Sequence, residues 1–383
     1  MEDHFSFYSC PVDPFNHRRL WLSDAGARLC KGCCSDQRVV ERSRSHLLSI
    51  TIHLDRSTFK KRRSDVTDRS LEALLMAVKS QSWRWRSLYA IIPSNFEDHL
   101  IAPFCMKNVT LLEHVRLETW RSSSNIGRTN ELQFSLSAVP RLTYFDLSSN
   151  IHVTFDGPAH NIKHLQFLSR FKVETHQMDL MACLAQCPLL STLSYHLHFT
   201  PLPQTFPTIL KHTHLDTLSV RIHLGCEIGV LFHHLILPAL TDLVLEMDED
   251  EEPAADWPHL LALLRNSRPH LNSLSLSRIP MNENTLIECL KYTPGLRALI
   301  TGNIDCTDTT LKAFTLDDSD SSMILCPKLQ YLNLGTASRF SDAAMKALIL
   351  SRWRGAGLHC PPGPGKELEQ TPKSSNAYVK VSG

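Results

Sequence analysis

Glycine is scarce in this 383-residue chain, with only 14 in all, and the scarcity removes whole classes of chemistry. Loops that wrap a phosphate need glycine where the backbone approaches the ligand closely or turns left-handed. Neither G-x-x-x-x-G-K-[ST] nor G-x-G-x-x-G occurs, and the nucleophile-elbow pattern G-x-S-x-G is missing too. Charge of one sign is also lacking. Forty Lys and Arg against 39 Asp and Glu leave a net +1, which gives no general attraction to nucleic acid or anionic lipid. No run approaches the roughly 18 apolar residues of a membrane span. The opening Met1-Glu2-Asp3-His4 has neither the basic nor the apolar region of a secretory signal. The twenty histidines are scattered, with no H-E-x-x-H among them. Cys30-Lys31-Gly32-Cys33-Cys34 supplies one C-x-x-C pair, where a structural zinc site takes two. These absences point to a protein with no active site, no bound metal and no cofactor of its own.

What the chain has in abundance is leucine at one spacing. Ser267-Arg268-Pro269-His270-Leu271-Asn272-Ser273-Leu274-Ser275-Leu276 reads as a turn followed by L-x-x-L-x-L. In an extended segment side chains alternate with period two, so Leu274 and Leu276 share one face while Ser273 and Ser275 share the other. The pattern recurs in Leu112, Val115 and Leu117; Leu142, Phe145 and Leu147; Ile162, Leu165 and Phe167; Leu190, Leu193 and Tyr195. It continues in Leu215, Leu218 and Val220; Leu240, Leu243 and Leu245; Leu296, Leu299 and Thr301; and Leu329, Leu332 and Leu334. The mean period of about 27 residues falls within the range of a leucine-rich repeat, roughly 20–29. A proline stands two residues before the first leucine at Pro140, Pro188, Pro238, Pro269, Pro294 and Pro327. Proline cannot continue a helix, so it marks the handover from helix to strand. Between strands, helical spacing appears in Leu180, Cys183 and Leu184; Leu260, Leu263 and Leu264; Leu286, Cys289 and Leu290; and Met345, Leu348 and Ile349. Asn282 or Asn284, and Ser341 or Asp342, are the candidate N-caps of the last two. The expected fold class is α/β: a leucine-rich-repeat-like βα solenoid, a curved parallel sheet with helices on its convex side.

Three segments follow: residues 1–46, poorly defined; 47–354, the solenoid; and 355–383, a disordered tail rich in Gly and Pro. Strict alternation over His46–Leu54 gives a strand, and Thr67 to Val78 a helix. Trp83 and Trp85 read as the cap on the open end of the stack, because terminal units must cover the core. Lys60-Lys61-Arg62-Arg63 is read as a solvated loop rather than a nuclear import signal. The acidic run Asp248-Glu249-Asp250-Glu251-Glu252 is read as a solvent loop. Cys183, Cys187, Cys289 and Cys326 sit on or beside apolar helical positions and read as buried thiols of a reducing compartment, cytoplasmic or nuclear.

Four segments resemble the fungal, mushroom-type F-box proteins with leucine-rich repeats. They are Arg44-Ser45-His46-Leu47-Leu48-Ser49-Ile50-Thr51-Ile52, Ser80-Gln81-Ser82-Trp83-Arg84-Trp85-Arg86-Ser87-Leu88, Leu237-Pro238-Ala239-Leu240-Thr241-Asp242-Leu243 and Ser351-Arg352-Trp353-Arg354. The likeness spans about residues 40–354 and lies in the order of the motifs. Residues 1–46 lack the Leu-Pro-led helical run of an F-box, so no F-box residue is carried over. The resemblance implies a substrate receptor of a cullin–RING ubiquitin ligase, with docking on the ligase adaptor only if an F-box lies upstream.

The geometry itself implies a recognition surface on the concave face, made of the outward residues Arg116, Glu118, Tyr144, Asp146, Thr217, Ser219, Arg221, Asp242, Glu246, Ser273, Ser275, Tyr331 and Asn333. Its mixture of hydroxyls, both charges and tyrosines suits a protein partner, with Tyr144, Tyr331 and Arg221 as the anchors. A monomer with no membrane or nucleic-acid partner is expected. The alternatives are a zinc-containing N-terminal module binding nucleic acid through Arg18, Arg19, Lys31 and Arg38, and a stand-alone scaffold unconnected to ubiquitin.

Overall fold

Proline sets the geometry at the start of five of the nine repeats. In the computed structural model the amide of the first leucine donates to the carbonyl three residues back: Leu142 to Val139 at 3.1 Å, Leu190 to Cys187 at 3.0 Å, Leu240 to Leu237 at 3.3 Å, Leu296 to Thr293 at 3.1 Å and Leu329 to Cys326 at 3.0 Å. Pro140, Pro188, Pro238, Pro294 and Pro327 each occupy the second position of these turns, where their fixed φ is already correct. The sixth proline, Pro269, differs: it follows Arg268, a left-handed helix cap with φ 44° whose amide donates to Leu264 O at 2.8 Å.

The structure describes residues 19–22, 46–54, 65–120, 133–149, 151–167, 177–197, 209–223, 228–248, 256–316, 325–335, 338–355 and 378–380. The chain divides into two units, Met1–Arg128 and Thr129–Gly383. In the first, β1 (Arg19–Leu22), β2 (Leu48–His53), β3 (Trp85–Pro93) and β4 (His114–Trp120) form a parallel sheet in that order. Among its described residues the helices are α1 (Asp65–Lys79) and α2 (Glu97–Cys105). The expected helix, Thr67 to Val78, is present and runs three residues longer, two at its start and one at its end. Trp85 is not a terminal cap. Its strand lies between β2 and β4, its ring is wholly buried, and its Nε1–H donates to the Val78 carbonyl at 3.2 Å. β1, within a segment expected to be poorly defined, is what adds a further strand beyond β2.

In the second unit the parallel strands are β6 (Tyr144–Ser148), β8 (His164–Phe167), β9 (Thr192–Leu197), β11 (Thr217–Ile222), β13 (Asp242–Met247), β14 (Ser273–Ser277), β15 (Ala298–Gly302) and β16 (Tyr331–Asn333), neighbours in that order. Two small pairs lie apart from this ladder: β5 (Gln133–Ser135) with β7 (His152–Thr154), and β10 (Leu210–Lys211) with β12 (Leu235–Ile236). The helices are α3 (Gln177–Gln186), α4 (Gly229–His234), α5 (His259–Ser267), α6 (Glu283–Leu290), α7 (Asp308–Phe314) and α8 (Asp342–Gly355). Each unit is therefore built as a parallel βα solenoid, and all nine leucine-type triplets are buried.

Register explains why. Phe145, Leu165, Leu193, Leu218, Leu243, Leu274, Leu299 and Leu332 are cross-strand partners in one row. Phe167, Tyr195, Val220, Leu245, Leu276 and Thr301 form the next. Each fully buried aliphatic side chain contributes about 1.5–3 kcal/mol, so the stack is held mainly by these rows. Where the row turns aromatic, rings meet edge to face: Phe145 with Phe167 at 5.6 Å and Phe167 with Tyr195 at 5.7 Å.

A second device ties successive helices together. The Asp256 carboxylate accepts the Asn282 amide and the Thr285 hydroxyl at the start of α6. Glu283 accepts the amides and hydroxyls of Thr307 and Thr310 at the start of α7. Asp308 accepts the Ser341 amide and hydroxyl at the start of α8. A carboxylate from one repeat thus satisfies the orphan donors and meets the positive dipole end of the next helix. Asn282 and Ser341 are the caps, through Thr285 N–H to Oδ1 and Ala344 N–H to Oγ.

Candidate functional site

The strand faces opposite the leucine rows carry the candidate surface, and strand register sorts its residues. In the second unit the first outward row is Tyr144, His164, Thr192, Thr217, Asp242, Ser273, Ala298 and Tyr331. The second is Asp146, Gln166, Ser194, Ser219, Val244, Ser275, Ile300 and Asn333. The third is His196, Arg221, Glu246, Ser277 and Gly302. The eleven second-unit residues named from the sequence all fall on these rows, and ten are half-buried.

Asp146 is the exception. The alternation fails in β6, where Phe145, Asp146, Leu147 and Ser148 are all buried, and Asp146 keeps only 5% of its surface. A carboxylate covered in this way is not open to a partner. Arg116 and Glu118 lie on β4 of the first unit, where Arg116 stacks its guanidinium over the Tyr89 ring at 5.3 Å. At the start of the first row, the Tyr144 and His164 rings stand 5.9 Å apart.

The third row is the most structured part of the face. Glu246 Oε1 accepts from Arg221 Nη2 and from Arg278 Nη2, both at 2.7 Å. Asp248 Oδ1 lies 3.3 Å from Arg221 Nε, and Asp248 Oδ2 lies 3.1 Å from His196 Nε2. The five side chains form one chain of contacts: His196, Asp248, Arg221, Glu246, Arg278. Part-exposed ion pairs contribute about 0.2–1 kcal/mol each, so the network's main effect is to fix orientation. Two guanidiniums stand against two carboxylates, so the four charges balance. A site of this kind discriminates by geometry, not by bulk attraction for a polyanion. Arg221 remains the most open of the group, with 43% of its side chain accessible.

Sequence reasoning found Arg221 and Glu246 and missed the other three. For His196 the signal was present, since period two carried along β9 gives Thr192, Ser194 and His196. For Asp248 the signal was masked by the acidic run. Asp248 is a strand-end residue whose amide donates to Ile222 O at 3.0 Å, not the start of a solvent loop; residues 249–253 lie outside the described residues. Arg278 carried no signal, because only its left-handed backbone, φ 58°, swings it back beside Glu246.

The remaining candidates offer less chemistry. Among the described residues no group of His, Cys, Asp and Glu is arranged to hold a metal ion. The cysteines at 30, 33 and 34 and the basic run 60–63 lie outside the described residues. Burial pushes the Cys289 thiol up to about 12 and Cys326 up to about 11, so both stay protonated and poorly nucleophilic. Among the described residues no helix is long and apolar enough to cross a membrane.

No family model and no curated protein matches the sequence. Among solved structures, the chain is similar to a Bacteroides fragilis protein determined by the Northeast Structural Genomics Consortium. The match has a TM-score of 0.39 at 12% identity and covers 80% of this chain and 87% of that one.

Proposed function

We propose that this chain is a protein-recognition solenoid whose outward sheet face in the second unit holds a polar protein segment, with no catalytic step of its own. The observation that carries this reading is the in-register outward surface of β9, β11, β13 and β14. It is half-buried, rich in hydroxyls, and bounded along one side by the His196–Asp248–Arg221–Glu246–Arg278 network. Arginine held in one orientation, with a guanidinium edge still open, is the kind of residue in which interface energy concentrates. Hydroxyls in the middle row supply adaptable hydrogen bonds at small loss of side-chain freedom. The motif order seen in the sequence supports a finer reading, a relative of the F-box substrate receptors with leucine-rich repeats.

A photo-crosslinking residue at Ser275, on this face, is compared with one at Glu288, on the exposed side of α6. Ser275 is expected to capture a protein partner in cells and Glu288 is not. Arg221→Ala and Arg278→Ala should each weaken that capture by about tenfold, the order of an interface hot spot. Equal capture from both faces would defeat the proposal. Co-purification of the cullin–RING adaptor decides the finer reading: its presence links the chain to the ligase, and retention of the partner without it leaves a stand-alone recognition module.

A further inference from the structure

The last repeat strand is not left as an edge. On one side β16 pairs parallel with β15, through Ala298 with Tyr331, Leu299 with Leu332 and Ile300 with Asn333. On its other side lies β17 (Tyr378–Lys380), which runs antiparallel, pairing Lys380 with Tyr331, Val379 with Leu332 and Tyr378 with Asn333. These three residues fall in the tail expected to be disordered. They come from 45 positions beyond Asn333 (378 − 333), and they reverse the direction shared by the ladder strands β6, β8, β9, β11, β13, β14, β15 and β16.

An exposed strand edge is a template for any extended chain, and here the protein supplies the chain itself. The hold is short: three residue pairs, as many as join β16 to β15 and half the six between β11 and β13. The edge also carries a pattern. Leu332 is buried at 6% exposure, while Tyr331 and Asn333 lie half-buried on the outward rows. Directly opposed residues of an antiparallel pair share a face, so an incoming strand must set an apolar residue against Leu332 and polar or amphipathic ones on either side. In the observed register Val379 stands opposite Leu332, with Tyr378 opposite Asn333 and Lys380 opposite Tyr331.

We propose that the outer edge of β16 is a strand-addition site, occupied in cis by Tyr378–Lys380 and taken in trans by an extended segment of a partner protein with the same polar–apolar–polar pattern. Recognition there is by main-chain hydrogen bonds with one side-chain pocket for specificity. The surface is the sheet edge and not the outward face, so either proposal stands or falls alone.

The probe is a labelled synthetic peptide of residues 374–383, titrated by fluorescence anisotropy against the full chain and against the full chain carrying Val379→Pro. Proline removes the strand amide at that position. The tethered tail competes with the free peptide at high effective concentration, so the variant is expected to bind the peptide at least about tenfold more tightly than the unaltered chain. The peptide carrying the same proline is expected not to bind. Hydrogen exchange across residues 331–333 should quicken in the variant and slow again when peptide is added. Equal affinity for both chains, or binding that survives proline in the peptide, overturns the proposal. If the variant does not fold, the unaltered chain decides. Excess peptide should strip protection from residues 378–380, and protection unchanged at saturating peptide refutes the idea.

Discussion

Arg352 is a buried charged side chain of the second unit, and its removal gives a direct test of the packing. It lies on α8 with 8% of its surface exposed. Its guanidinium donates to four carbonyls: Nε and Nη2 to Phe314 O at 3.1 and 2.7 Å, Nη2 to Leu325 O at 3.2 Å, and Nη1 to Cys326 O and Pro327 O at 3.0 and 2.9 Å. Phe314 ends α7, and Cys326 and Pro327 open the turn that leads to Leu329. One planar fork therefore satisfies the end of a helix and the start of the following strand at once. Burial lowers the guanidinium's pKa from its usual value, with the nearby Cys326 acting the other way, yet a group that starts so high stays charged.

Arg352→Met keeps the apolar stem and deletes the donors. Each orphaned buried carbonyl costs about 1–3 kcal/mol, while the guanidinium's own desolvation, no longer required, offsets part of the total. The expected net loss is about 3–5 kcal/mol. Arg352→Lys places three donors on one atom and cannot span carbonyls set apart in this way, so it should lose about 2 kcal/mol. Urea unfolding of both variants beside the parent, with midpoint and slope fitted together, gives the difference directly. A cost below about 1 kcal/mol for Arg352→Met, or a lysine variant as stable as the parent, would refute the claim that this fork holds α8 in place.

The other predictions concern the rows and two titrating groups. Leu274→Ala, between Leu243 and Leu299 and fully buried, should cost about 2–5 kcal/mol in urea unfolding; Ser275→Ala, on the outward face, should be close to silent, and comparable losses would contradict the assigned faces. Burial alone would raise the Glu283 pKa, but hydrogen bonds from Thr310 and Thr307 outweigh it and hold the carboxyl below its usual range. Its stabilisation is therefore complete above the unfolded value of about 4.3 and lost as pH falls through the lower folded value; Glu283→Gln should flatten melting temperature against pH there. His212 donates from Nε2 to the Cys187 carbonyl and accepts the Leu215 amide at Nδ1, which fixes it neutral. Burial, with His214 adding to it and the Cys187 bond opposing, depresses its pKa. The unfolded chain then binds more protons, so stability should fall as pH drops below about 6.5, and His212→Asn should remove that slope; a slope that persists would place the acid sensitivity elsewhere.

Leucine spacing and the turn prolines made the repeats legible, because both are local: period two decides which face a side chain takes, and proline fixes its own φ. The same locality made the caps at Asn282 and Ser341 readable from a few residues. α7 escaped notice because Thr309 and Thr310 are poor helix formers, and what stabilises its start is Glu283, 24 residues before Thr307. Trp85 read as a terminal cap because its ring type says nothing of pairing, and only register shows its strand between β2 and β4.

From its own letters the chain determined the solenoid, the buried rows and most of the outward ones. Only the folded stack could decide that His196 meets Asp248 across 52 residues, that Arg278 turns back to share Glu246 with Arg221, and that Tyr378–Lys380 pairs antiparallel with β16. Pattern within a strand is set by neighbouring bonds, whereas a partner across strands is set by register, and register exists only once the rungs have stacked.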